Sequence, residues 1–280
     1  MDMTESKLRL LRRPDPLDPA RREAEALPTA QELCERAAQI KQTLDAERWL
    51  SSLLGQMWSA RDALIACHDP HDDPDWAFQI GGPLARELAA VGGPEAWAVL
   101  HGLWVFAPER LARLAGDLLD TLPRTRPLEW SLDVGRALPR EVVCSTGSGR
   151  TSGHAYVVTR RLDSEEPNHL VALKRGTFTG PVTHLSLHMS FAEAEALALE
   201  LAPQKRKRPK LDTGYLEQAA EAIRLGIRCA DGHPDNERNP EFAELRALTL
   251  QMLSPWTRDA RFERHRRPWE PAAEEYDGFW

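Results

Sequence analysis

Along this 280-residue chain the spacing of apolar positions changes twice. Up to about residue 122 they recur every three or four places, the period of an amphipathic helix. Between 141 and 190 they alternate every second place, the period of a half-buried strand. Turns rich in glycine, serine and proline cut that alternation. Beyond 190 the helical period returns. The pattern predicts an α+β fold, mostly helical: an N-terminal helical bundle followed by a small antiparallel β-sheet covered by helices.

Local signals refine this outline. Residues 1–28 are charged and interrupted by prolines, which predicts an extended arm. Thr29 and Glu32 have capping-box spacing, with Leu33, Ala37, Ile40 and Leu44 as the stripe behind them. A second helix is expected near 47–67, carrying Leu50, Leu54 and Met57. Gly-Gly-Pro occurs at 81–83 and at 92–94, and Ala107-Pro108 echoes it. A proline suits the first position of a helix and a glycine the position after one, so helices are expected at 83–91, 94–106 and 108–122. Pro123 and Pro127 mark the boundary of a second block. Strands are expected at 141–145, 154–162, 169–174 and 182–189. Ser190 and Glu193 repeat the capping-box spacing, and further helices are expected at 215–229 and 240–253, with Asn239 as an N-cap. The organisation predicted is an arm (1–28), a helical bundle (29–127), an α+β domain (128–254) and a charged, aromatic tail (255–280).

Composition narrows the setting. Apolar residues make up 42% and charged residues 28%, a globular balance. The net charge of −7 opposes nucleic acid and anionic membranes over the molecule as a whole. The longest apolar run, 96–107, falls short of the roughly 20 residues a membrane span needs. The N-terminus lacks a secretory pattern, and Cys34, Cys67, Cys144 and Cys229 are too scattered for a disulfide framework. These features predict a cytoplasmic protein with free thiols, no membrane association and no cofactor.

No motif in the sequence fixes a reaction. Cys144 and His154 flank the loop Gly147–Gly153 and could face each other on paired strands, as a thiol nucleophile and its base would. The loop lacks the spacing and the lysine of a phosphate-binding P-loop, which leaves Arg150 as an anion partner. His184 and His188 share one strand face, but a rise of ~3.3 Å per residue sets them about 13 Å apart, too far for one metal. His68, His71 and Asp72 belong to the densest cluster of ligand types. Two prolines and the missing glycine break the calcium-loop pattern there, so no tightly held metal is expected. Lys205, Arg206, Lys207 and Arg208 form a short basic run that suits phosphate contacts or a solvated linker. Trp269, Phe279 and Trp280 lie in a charged segment with no core of its own, where aromatic residues act as docking anchors.

The sequence therefore predicts a non-catalytic binding or regulatory protein acting through protein–protein contacts. The alternative is an enzyme with a site between helical block and sheet, drawing on Cys144, His154, Arg150 and His184. Nucleic-acid binding stands third. Convergence of those four side chains in one pocket would favour the enzyme.

Overall fold

A computed structural model describes residues 27–65, 76–123, 126–145, 153–175, 180–202, 211–231, 239 and 241–254. Five helices come first: α1 (Ala30–Gln39), α2 (Thr43–Ile65), α3 (Trp76–Val91), α4 (Gly93–Phe106) and α5 (Glu109–Thr121). A 3-10 turn (Glu129–Leu132) leads into β1 (Leu138–Ser145), β2 (His154–Arg161), β3 (Asn168–Lys174) and β4 (Val182–His188). Then follow α6 (Phe191–Leu201), β5 (Leu211–Thr213), α7 (Leu216–Asp231) and α8 (Glu241–Leu253). The fold is α+β, with helices preceding an antiparallel five-stranded sheet of order β4-β3-β2-β1-β5. No helix among the described residues is long and apolar enough to cross a membrane.

The capping box at Thr29 forms: its hydroxyl accepts from Glu32 N–H while the Glu32 carboxylate accepts from Thr29 N–H at 2.7 Å. Such a cap is worth about 1 kcal/mol. The one expected at Ser190 makes no side-chain cap bond. Gly81-Gly82-Pro83 does not start a helix either, because α3 begins at Trp76 and runs through Pro83. Gly81 is needed there for closeness, since a Cβ would press on Leu111 of α5. The second Gly-Gly-Pro behaves as expected. Gly92 and Gly93 take φ of 67° and 87°, a left-handed break that ends α3, and Pro94 sits in the first turn of α4. Helix α4 is buried on nearly all sides, including Val99, Leu100, His101 and Leu103, which places it at the centre of the bundle.

Alternation along the strands divides the sheet into two faces. One carries Val142, Tyr156, Val158, Leu170, Ala172 and Leu185, and joins a single apolar cluster that runs from Ala30 to Leu253. Helices α2, α7 and α8 belong to that cluster, so the helical block and this sheet face share one core. The other face carries Ala155, Val157, Val171 and Leu173 under the alanines Ala194 and Ala198 of α6. Covered on both sides, β3 is buried at every position.

Helix α8 ties the halves together. A Cβ on Gly55 of α2 would overlap the Ala243 carbonyl, so the two helices touch backbone to backbone. Arg246 forks onto Asp231 of α7, with Nε to Oδ1 at 2.9 Å. Just before α8, the Asn239 carbonyl accepts from Phe242 N–H at 3.0 Å, as a residue at the helix start does, while its side chain is engaged elsewhere. Its amide closes on β4: Leu185 N–H donates to Oδ1 at 2.9 Å and Nδ2 donates to the Leu185 carbonyl at 2.7 Å. The outer edge of the sheet is thereby occupied by a side chain that mimics a strand.

Candidate functional site

The residues singled out from sequence fall on both faces of the sheet. Cys144 of β1 lies opposite Tyr156 of β2 on one side and Asp212 of β5 on the other. His154 of β2 lies opposite Lys174 of β3. All five share the face that carries the main core. Cys144 and His154 are therefore diagonal neighbours, as the strand pairing implied. Gly214 leaves the room the thiol occupies, since a Cβ there would stand 3.1 Å from Cys144 Sγ.

The electrostatics of this group do not activate a nucleophile. Burial first, and then the Asp212 carboxylate, push the Cys144 thiol above its ordinary value, so the thiolate is disfavoured. Burial pushes Tyr156 up to about 12, with Cys144 adding to the shift. Burial lowers Lys174, against an opposing pull from Cys229 of α7. His154 Nδ1 faces the Ser145 carbonyl at 3.1 Å, a backbone contact that occupies one ring nitrogen.

His184 lies on the opposite face, beneath α6, so the sheet itself separates it from Cys144 and His154. There it belongs to a polar track the sequence did not reveal as a unit. Glu141, Thr159, His169 and His188 form one row across β1, β2, β3 and β4. Thr159 Oγ1 and His169 Nδ1 are 3.0 Å apart. From His188 the track turns along β4. Ser186 Oγ stands 3.0 Å from His188 Nε2 and 3.1 Å from His184 Nε2. The 13 Å spacing expected for this pair describes their backbone positions. Their rings lean toward each other and meet at one hydroxyl.

Burial lowers His169, with His188 acting in the same direction and Glu141 against it. At its far rim the ring of Phe191, the first residue of α6, stands edge-on to His169 with centroids 5.4 Å apart. Phe191 is still 39% exposed, and Met189, two residues earlier in the chain, is 58% exposed. These two were legible only as the end of an alternating strand and the start of a helix.

Arg150, the basic run Lys205 to Arg208, the tail aromatics Trp269, Phe279 and Trp280, and the cluster His68, His71 and Asp72 lie outside the described residues. Comparison with known proteins finds no matching family model, curated protein or solved structure.

Proposed function

We propose that this is a non-catalytic binding or regulatory protein that acts through protein–protein contacts, made where β4 hands over to α6. One observation carries the reading. Phe191 is braced edge-on by His169 and yet 39% exposed, and Met189, two residues earlier in the chain, is 58% exposed. A large aromatic side chain held in place before binding loses little freedom when a partner covers it. Aromatic and methionine side chains are also those enriched at interface centres. The polar groups near Phe191, His169 and its register partner His188, suit the rim of such a patch.

The catalytic alternative draws less support. Cys144 and His154 share a face, but the thiol is held protonated and His184 is on the other side of the sheet. Substitution of Met189 by Glu tests the binding reading, because the side chain is mostly solvated and the melting temperature should not change. Affinity capture with the wild-type protein should recover a stoichiometric partner that M189E and F191A both lose. Equal recovery by wild type and variants would contradict the proposal.

A further inference from the structure

The track along β4 carries an inference beyond protein docking. His184 and His188 are four residues apart on an extended strand, which on backbone spacing alone forbids a shared ligand. Their rings overcome that spacing. Both Nε2 atoms lie within 3.1 Å of the single Ser186 oxygen, so the two nitrogens stand within about 6 Å of each other. One serine proton cannot serve two acceptors at once. The hydroxyl donates to one ring at most, and the other must supply its own N–H. A divalent ion would remove that constraint by taking a lone pair from each imidazole.

We propose that His184 and His188 form a two-imidazole site for a borderline divalent ion of the zinc, nickel or copper class, seated at the Ser186 hydroxyl. Imidazole nitrogen suits these ions, at about 2 Å per bond. To share one ion the nitrogens must stand about 4 Å apart or less. The site lies on the edge strand of the sheet, and both rings are only half-buried, so an ion can reach them. His169 stands directly across from His188 in the strand register, but its Nδ1 faces Thr159 Oγ1 at 3.0 Å, so the two β4 histidines are the protein ligands proposed. Among the described residues no group of three or more His, Cys, Asp or Glu side chains could hold a metal ion, so the proposed site has two protein ligands. Ion binding therefore draws the two rings together, with water completing the shell, and the ion exchanges freely.

Carbethoxylation of histidines, read peptide by peptide in the mass spectrometer with and without nickel chloride, tests this site separately from every other histidine. Nickel should slow modification of His184 and His188 severalfold at the same ion concentration, and should leave His154, on the opposite face, unaffected. In H184Q the protection of His188 should vanish. Equal modification of the wild type with and without nickel would overturn the proposal. So would protection of His188 that survives in H184Q, or protection of His184 and His188 at clearly different nickel concentrations.

Discussion

Glu47 of α2 and Arg160 of β2 form an ion pair with side chains 0% and 1% exposed, a fully buried polar contact between the helices and the sheet. The second oxygen of Glu47 accepts from Gly135 N–H at 2.9 Å, and Gly135 in turn accepts from Gln251 of α8 at 2.8 Å. One carboxylate thus gathers α2, β2, the turn before β1 and the end of α8. Arg160 Nε and Nη1 have no hydrogen-bond partner among the described residues, so its charge relies on Glu47. Removing one member of a buried pair costs about 3–5 kcal/mol, while replacing both by apolar side chains of similar volume is often neutral. E47A should therefore lower stability in urea by about that amount, and E47L with R160M should recover most of it. Additive losses in the double variant would argue against a private pairing.

His101 makes stability fall in acid. Burial first, and then the Arg136 charge, lower its pKa from the ordinary 6.5 to about 4, with the Ser131 backbone acting against them. The unfolded chain therefore binds a proton that the folded chain refuses between those values. The contribution is fully present above pH 6.5 and is lost as pH falls through about 4. It amounts to about 3 kcal/mol at 1.36 kcal/mol per pH unit. The ring stacks on Trp97 with centroids 5.0 Å apart, so H101F keeps the packing without the titration. Urea unfolding from pH 7 to 4 should show a shallower loss in H101F than in the wild type.

Close approach should be felt at Gly55. Alanine there would meet the Ala243 backbone carbonyl, which cannot swing away as a side chain can. G55A should cost about 1–3 kcal/mol, the usual effect of overpacking, despite the better helix propensity of alanine. At Gly82 the nearest atoms to a Cβ are side-chain atoms 3.6 Å away, so G82A should be neutral or stabilising by thermal unfolding.

Asn239 guards the sheet edge, and N239A should release it. Its two side-chain bonds to Leu185 would be lost, leaving a backbone N–H and C=O unpaired at an edge strand. The expected outcome is a stability loss of about 1–3 kcal/mol and faster hydrogen exchange at Leu185. An unchanged exchange rate would mean that the backbone pairing of Asn239 N–H with the Thr183 carbonyl protects this edge without the side chain.

Much of the fold is written in local periodicity. The change of apolar spacing at 141 and 190 placed the strands β1 to β4 to within three residues, because each alternates against a covered face. β5 escaped notice: Leu211–Thr213 is three residues long, too short to show a period, and it exists through pairing with β1. Pro83 misled because a proline at a helix start and one inside a helix look alike until the residues before it are seen to be helical. The Cys144–His154 neighbourhood was legible, since strand pairing follows from the hairpin. Its burial, which decides the chemistry, was not, because it depends on α7 and α8 folding back from later in the chain. The row Glu141–Thr159–His169–His188 was invisible for the same reason: register across four strands is set by tertiary pairing.

The binding role rests on the exposed side chains Met189 and Phe191 at the end of β4 and the start of α6, and a photo-crosslinking residue placed at Met189 interrogates it in the cell. Leu132, 47% exposed and at the 3-10 turn, is the matched control. Irradiation should give a discrete protein adduct from position 189 and none of the same mass from position 132. No adduct at 189, or the same adducts from both positions, would contradict the binding role.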